Sequence, residues 1–387
     1  MKARKRRAEE KCFLAIACKL VIAFCFVLFT SSLSESKEPK LSQIVLKNQK
    51  NDKPRKLIKI LSIDGGGIRG IIPALVLQNL ESRLKNKRSL TQCFDVMAGT
   101  STGGIIILLL NTPDEKGAAR YSTDTIVNLY RNFGEKVFYK PNWQTILSVN
   151  GWIDEKYSTK NLEMYMAEYF GKARLSEALT EVLIPTYDLG KEITYFFKRA
   201  KAKESLDKDF YFADIARATS AAPTYFRPAV IRNLGNGQPS ILVDGGVVTN
   251  NPALAALVHA FKLFGKDNDF LVVSLGTGTI YTTKKDEEKN LGIFKNFGGK
   301  FEWITDIVPT MLDAASDLVD GELRELFQDA DIRDNYVRLE IKINPAHDDL
   351  DNTSPKNIEA LERYAQQLIQ ENEKNLEKIA KILDNPK

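Results

Sequence analysis

Cysteine and histidine are both scarce in this sequence. Three of the four cysteines lie in one apolar segment near the N-terminus, and Cys93 is the only one beyond it. Because a single cysteine cannot form an intrachain disulfide, we expect the body of the protein to fold without one. The two histidines, His259 and His347, are the only candidates for a histidine base.

The charge balance argues against one class of partner. The chain has a formal net charge of +5, and residues 1–32 account for that excess with seven lysines and arginines against two glutamates. The remainder is therefore close to neutral. It holds no long basic stretch with interleaved aromatic residues, so nucleic-acid binding is not expected.

The N-terminal segment has the pattern of a targeting signal. A basic cluster precedes an apolar run from Cys12 to Phe29, which Lys19 interrupts, and small polar residues follow. This order is typical of a secretory signal, so we predict that residues 1–34 are cleaved and that the body is secreted or exported. A membrane anchor formed by residues 12–30 is the alternative, because the run approaches the ~20 residues that span a bilayer.

The rest of the chain alternates predicted strands and helices. After a polar linker (35–56), β-prone runs occur at Leu57–Ile63, Asp95–Thr100, Ile241–Val243 and Phe270–Leu275. Helical spacing of apolar residues between such runs predicts an α/β fold with a mostly parallel central sheet. Residues 57–260 form the core of this domain. Residues 261–387 complete it and end in an amphipathic helix that Ser354 caps.

Three further segments have recognisable patterns. Residues 184–198 predict a β-hairpin around Asp188-Leu189-Gly190-Lys191, and residues 121–170 are mostly helical and rich in aromatics. The stretch from Phe301 to Leu326 carries apolar residues at helical spacing, which we interpret as core packing.

Three glycine-rich turns, each directly after a predicted strand, carry the candidate chemistry. In chain order they are Asp64-Gly65-Gly66-Gly67-Ile68-Arg69-Gly70, Gly99-Thr100-Ser101-Thr102-Gly103-Gly104 and Asp244-Gly245-Gly246. Together they offer donors for an oxyanion, a nucleophile and a base. Acyl-ester hydrolysis needs these three components.

Ser101 is the candidate nucleophile. It lies between Gly99 and Gly103 directly after a strand, which is the pattern of a nucleophile elbow. Glycines allow the chain to turn sharply there, so the serine hydroxyl is exposed at the edge of the sheet. The same five-residue pattern also occurs as a turn that merely permits helix–strand packing.

The first turn has two interpretations. Glycine amides at the start of a helix point at negative charge, so they would hold the oxyanion of a tetrahedral intermediate. The spacing of Gly65, Gly67 and Gly70 also resembles a dinucleotide-binding fingerprint, but the acidic residue expected further on, Glu81, falls inside the predicted helix. Arg69 would reinforce the positive field or contact an anionic headgroup, or else pair with a nearby carboxylate.

The serine has two candidate bases. Asp244 lies at a strand end, where a carboxylate can face a cleft. Ser101, Asp244 and His259 also follow the chain order of an α/β-hydrolase triad. His259, however, lies about three turns past Asp244 in the helix that begins at Pro252. We therefore favour a Ser101–Asp244 dyad, and a triad that uses His259 is the alternative.

The three turns in this order resemble the patatin-like phospholipase family. The segment Ala216–Phe226 is similar to the one that precedes the family's catalytic aspartate, and Ser274–Gly278 also looks like the family. The resemblance covers about residues 57–320. It implies a three-layer α/β/α patatin-like fold with residues 57–260 as the catalytic core.

The resemblance also implies a mechanism. Ser101 would be the nucleophile, Asp244 the base, and the amides of Gly65–Ile68, above all Gly66 and Gly67, the oxyanion hole. The other motif residues would support these groups: Asp64, Arg69, Gly70, Gly99, Gly103, Gly245 and Gly246. The implied substrates are acyl esters of membrane glycerolipids, phospholipids and also galactolipids, taken from a lipid surface without a cofactor or metal.

Other interpretations fit the same motifs. A storage or lipid-binding protein would keep the same fold without turnover. With a lipid substrate, the apolar residues of Phe301–Leu326 would line an acyl channel instead of packing in the core. Neither the headgroup preference nor the oligomeric state follows from these motifs.

Overall fold

A computed structural model of the chain describes residues 55–85, 87–137, 157–280, 302–330, 332–344, 347 and 349–385. The predicted targeting segment, nearly all of the predicted linker and the aromatic stretch 138–156 lie outside these residues. Among the described helices, none is both long and apolar enough to cross a membrane.

A mostly parallel sheet forms the centre of the fold. The strands in the described part are β1 Leu57–Ile63, β2 Val96–Gly99, β3 Glu181–Asp188, β4 Ile193–Lys198, β5 Ala229–Arg232, β6 Pro239–Asp244, β7 Asp269–Leu275, β8 Thr279–Ile280, β9 Tyr336–Leu339 and β10 Lys342–Ile343. The main sheet has the order β5-β6-β3-β2-β1-β7-β9, with β4 also paired to β3, and β8 and β10 form a separate small pair. Strands β3, β2, β1, β7 and β9 run parallel, whereas β4, β5 and β6 pair antiparallel.

Helices connect and cover these strands. They are α1 Ile71–Ser82, α2 Leu90–Cys93, α3 Thr102–Leu110, α4 Thr123–Val137, α5 Thr159–Phe170, α6 Arg199–Glu204, α7 Phe212–Thr219, α8 Ala253–Phe264, α9 Glu302–Asp329, α10 Pro355–Glu371 and α11 Glu373–Asp384. The predicted strand–turn–helix order around the first two glycine turns is confirmed.

Both faces of the sheet are buried, as expected for parallel strands between helices. Along β1, Ile58 and Ile60 belong to a core cluster with apolar residues of α8 and α9. Leu61 and Ile63 belong to the larger cluster on the other face, with residues of α1, α3, α7 and α10. Alternate side chains of one strand thus reach two helical layers. The predicted α/β/α fold is confirmed.

The strand register brings the glycine turns to one edge of the sheet. Ile63, the last residue of β1, pairs with Gly99 at the end of β2 and with Leu275 at the end of β7. Asp244, the last residue of β6, pairs with Thr186 of β3. The parallel strands β1, β2 and β7 end at this edge, and the antiparallel strand β6 runs back toward it, so residues far apart in sequence meet there.

The C-terminal helix differs from the prediction of a single helix. Ser354 caps α10 as predicted, through its hydroxyl and the amide of Asn357. The helix then breaks at Asn372, whose φ of −111° and ψ of 21° are not helical. The Asn372 side chain donates to the carbonyl of Leu368 at 3.0 Å, and α11 begins directly afterwards. An asparagine amide competes with helical hydrogen bonds in this way.

Candidate active site

Ser101 occupies a strained turn between β2 and α3. Its φ of 52° and ψ of −119° lie outside the regions that residues other than glycine favour. A Cβ built on Gly99 would lie 2.3 Å from the carbonyl oxygen of Gly103, and one built on Gly103 would lie 2.3 Å from that of Ile63. Both glycines are therefore needed for the close approach of strand and helix. Strain of this kind costs about 1–3 kcal/mol and is concentrated at functional sites.

Asp244 lies beside this serine. Its side chain is buried and accepts a hydrogen bond from the amide of Gly246 at 2.7 Å, and the Ser101 side chain is within hydrogen-bonding reach of its carboxylate. Burial raises the pKa of Asp244 to about 7, against the smaller opposing effect of these hydrogen bonds. A Cβ built on Gly245 would lie 2.4 Å from the carbonyl oxygen of Pro185, so only glycine fits beside β3.

The first glycine turn lies next to Ser101. A Cβ built on Gly65 would lie 3.3 Å from the Ser101 Cβ. The amide of Gly65 donates to the carbonyl of Asn250 at 3.2 Å, and the amide of Ile68 donates to the carbonyl of Leu350 at 2.9 Å. Two of the four amides predicted for an oxyanion hole are thus already engaged in backbone hydrogen bonds.

The amides of the two middle glycines have no acceptor within the described part of the chain. These residues are Gly66 and Gly67, and the φ of Gly67 is 56°, which favours glycine. A Cβ on Gly66 would lie 2.2 Å from Thr277 Oγ1, so this position also excludes a larger side chain. The turn can therefore present two adjacent N–H donors.

The flanking residues of this turn are buried. Arg69 is only 1% exposed, so its side chain is not available to a headgroup outside the protein. A Cβ on Gly70 would lie 2.3 Å from Thr102 Oγ1, which shows how closely the first turn packs against α3. Thr102 in turn forms a hydrogen bond with Tyr130 of α4.

Arg338 fixes the start of the turn, and no sequence pattern indicated it. Its two terminal nitrogens donate to the two carboxylate oxygens of Asp64 at 2.9 and 2.7 Å. The same guanidinium contacts Ser274 at 2.9 Å and Glu340 at 2.6 Å. The carboxylates of Asp64 and Glu340 hold the pKa of Arg338 above its ordinary value, although its burial opposes this. A bidentate pair of this kind sets the orientation of both partners.

Asn250 and its neighbours form a second support that the sequence reasoning missed. The Thr277 hydroxyl donates to the carbonyl of Gly65 at 2.8 Å, and Asn250 Nδ2 faces the same oxygen at 3.5 Å. Asn250 Nδ2 also donates to Ser316 Oγ of α9 at 3.0 Å. In the sequence, the only indication that Asn250 belongs to the site is its position six residues after Asp244.

His259 lies away from this cluster. His259 Nε2 lies 2.8 Å from Glu181 Oε1, and both side chains are buried. Glu181 is the first residue of β3 and pairs with Val96, the first residue of β2, so it lies at the opposite edge of the sheet from Ser101. His347 Nδ1 contacts Asn357 at 2.6 Å. His259 is therefore not placed to accept the proton of Ser101.

The candidate site carries no set of metal ligands. Within the residues described, no group of three or more histidine, cysteine, aspartate or glutamate residues is placed to hold a metal ion.

Comparison with known proteins decides the family. The sequence model of the patatin-like phospholipase family matches residues 61–257, which include both Ser101 and Asp244. Patatin-like protein 2 of Arabidopsis thaliana is 35% identical over 315 residues, which are 73% of this chain and 75% of that protein. The chain belongs to the patatin-like phospholipase family.

Two further relatives extend this match over most of the chain. Patatin-like protein 2 of Oryza sativa subsp. japonica is 32% identical over 354 residues, with 82% of this chain and 85% of that protein covered. Patatin-17 of Solanum cardiophyllum is 33% identical over 362 residues, which are 86% of this chain and 91% of that protein. The predicted family is confirmed, and this patatin-like protein is a lipid acyl hydrolase by class.

Proposed function

We propose that this patatin-like enzyme hydrolyses acyl esters of membrane glycerolipids through an acyl-enzyme on Ser101, with Asp244 as the base. The observation that carries the proposal is the pairing of a strained serine with a buried aspartate whose pKa is raised to about 7. A base is most effective when its pKa lies near the working pH. The alternative base, His259, lies at the other edge of the sheet.

Acylation follows from this arrangement. The Asp244 carboxylate takes the hydroxyl proton of Ser101 as Oγ attacks the ester carbonyl carbon. Negative charge develops on the carbonyl oxygen, and the amides of Gly66 and Gly67 are free to donate to it. Asp244 then gives its proton to the leaving glyceryl oxygen, the C–O bond of the ester breaks, and the acyl group remains on Ser101.

Deacylation repeats these steps with water. Asp244 takes a proton from the attacking water, whose oxygen bonds to the acyl carbon. Collapse of the second tetrahedral intermediate breaks the bond to Ser101 Oγ, which recovers its proton from Asp244. The products are a free fatty acid and the original enzyme.

The surroundings of the turn Asp244-Gly245-Gly246 favour an apolar substrate. Leu312 of α9 lies over this turn, because a Cβ on Gly246 would be 2.5 Å from Leu312 Cδ2. Further along the same helix, Leu318 is 57% exposed. This helix therefore has apolar side chains both beside the dyad and at the surface, as an acyl chain entering from a lipid surface would require.

Fatty-acid release from vesicles tests the proposal. The full chain is compared with Ser101→Ala and Asp244→Asn on separate vesicles of phosphatidylcholine and of galactolipid. We expect release by the parent and a loss of roughly 10⁴-fold or more in both variants, since nucleophile and base act as one unit. The vesicle that supports release identifies the headgroup class.

The other outcomes discriminate between the alternatives. A folded parent that releases no fatty acid from either vesicle supports a storage or lipid-binding protein instead. Activity that survives Asp244→Asn but not Ser101→Ala would show that another residue is the base. His259→Gln would then be tested as the triad alternative.

A further inference from the structure

Asn250 contains a buried acceptor that no other group in the described part of the chain uses. The residue is 3% exposed, and its Oδ1 has no hydrogen-bond partner in the described structure. Its Nδ2, in contrast, donates to Ser316 Oγ and faces the carbonyl oxygen of Gly65. Buried polar atoms are rarely left unpaired, so such an atom in an active site points to a donor that arrives with a ligand.

The acceptor lies near both the nucleophile and the base. A Cβ built on Gly65 would be 2.3 Å from Asn250 Oδ1 and 3.3 Å from Ser101 Cβ. A Cβ built on Gly246 would be 3.4 Å from the same Oδ1 and 3.2 Å from Asp244 Oδ1. Because neither glycine has a side chain, Asn250 can approach both turns this closely.

The surrounding groups fix which end of the amide faces this space. The carbonyl oxygen of Gly65 can only accept a hydrogen bond, so it must face Nδ2. Ser316 Oγ accepts from Nδ2, and the Asp64 carboxylate lies within hydrogen-bonding reach of the same hydroxyl. Asn250 Oδ1 is therefore the atom turned toward Ser101 and Asp244.

We propose that Asn250 is a further catalytic residue, whose Oδ1 accepts a hydrogen bond from the deacylating water. This inference rests on the proposed acyl-enzyme mechanism. One hydrogen of the water passes to Asp244 as the oxygen attacks the acyl carbon. The other stays on the oxygen and is held by Asn250 Oδ1, so the lone pair is aimed at the carbon. In a site this buried, the second hydrogen would otherwise lack an acceptor.

Methanol separates this role from a merely structural one. Methanol carries one hydroxyl hydrogen, which Asp244 takes, so methanolysis of the acyl-enzyme does not need Asn250 Oδ1. Loss of the acceptor should therefore slow hydrolysis more than methanolysis, whereas a general distortion of the site slows both. The readout is the ratio of free fatty acid to methyl ester formed at a fixed methanol concentration.

The experiment compares the full chain with Asn250→Leu and, as a matched control, Ser316→Ala. The control removes the partner of Nδ2 but keeps Oδ1. We expect the acid-to-ester ratio to fall about three- to tenfold in Asn250→Leu, the loss of one net hydrogen bond. In Ser316→Ala the ratio should stay within about twofold of the parent, whatever happens to the total rate.

The turn keeps its main supports in both variants. The backbone hydrogen bond from Gly65 to the carbonyl of Asn250 does not involve the side chain, and Thr277 still donates to Gly65. Asn250→Val supplies a smaller apolar side chain in case leucine prevents folding, and it should shift the ratio in the same direction.

Each outcome has one meaning. An unchanged ratio in a folded Asn250→Leu or Asn250→Val variant overturns the role of Asn250 and leaves the Ser101–Asp244 mechanism intact. An equal fall in Ser316→Ala also overturns it, because the effect would then be one of position only. A parent that forms neither product refutes the acyl-enzyme mechanism itself.

Discussion

Asp244 should make the protein less stable as the pH rises. Its pKa is raised from an ordinary 3.8 to about 7 because its carboxylate is buried. Between these values the unfolded chain loses the proton while the folded protein keeps it, so the folded state binds more protons. Stability then falls with increasing pH through this window and is constant above it.

The size of the effect follows from the shift. A difference of about three pKa units corresponds to roughly 4 kcal/mol of unfolding free energy. Below pH 4 both states are protonated and Asp244 contributes nothing. Above pH 7 the full cost of ionising a buried carboxylate is present, in the state that the proposed mechanism needs for activity.

Asp244→Asn removes this titration but keeps the acceptor for the amide of Gly246. The two proteins are unfolded in urea at pH 5 and at pH 9 and followed by circular dichroism. Between pH 5 and pH 9 the parent should lose about 2–3 kcal/mol more than the variant, because about one of the three pKa units lies below pH 5. Equal pH dependence in the two proteins would refute the raised pKa, and with it the assignment of Asp244 as a base poised near neutral pH. Comparing each protein with itself cancels any pH-independent cost of the substitution.

Two further substitutions test the surroundings of the site. Arg338→Leu leaves the buried carboxylate of Asp64 without its ion-pair partner, so it should lower the free energy of unfolding by about 3–5 kcal/mol. Urea unfolding measures this loss, and a change below about 1 kcal/mol would contradict the ion-pair argument. His259→Gln should keep vesicle hydrolysis within about twofold of the parent and cost about 1–3 kcal/mol of stability, because it disturbs the buried hydrogen bond to Glu181 at the far edge of the sheet. Loss of hydrolysis in a stable His259→Gln variant would instead favour the triad.

Local patterns predicted the elements that carry the dyad. The strand Leu57–Ile63 has the bounds that the sequence indicated, and β2 and β7 lie within one residue of theirs. Each is a short apolar run that ends in a glycine turn, so the signal is contained in a few consecutive residues. The positions of Ser101 and Asp244 at strand ends followed from the same signals.

The supports of the site could not be predicted in this way. Arg338 binds Asp64 across 274 positions, and Asn250 binds Ser316 across 66. Nothing near Arg338 in the sequence distinguishes it from a surface arginine, since its burial and partner depend on the parallel pairing of β9 with β7. The break at Asn372 was missed for a related reason. Helical periodicity continues across it, whereas the break depends on the backbone conformation of one residue and its hydrogen bond to Leu368.

The region after the family match is part of the proposed catalytic site. The match ends at residue 257, yet Thr277 and Leu350 hold the first glycine turn, and Arg338 holds the residue before it. Strand β7 pairs with all seven residues of β1, and those strand ends position the turns. A core cut at residue 260 would lose this strand and expose the edge of β1. The proposed dyad and oxyanion donors come from the matched region, but their geometry depends on the last third of the chain.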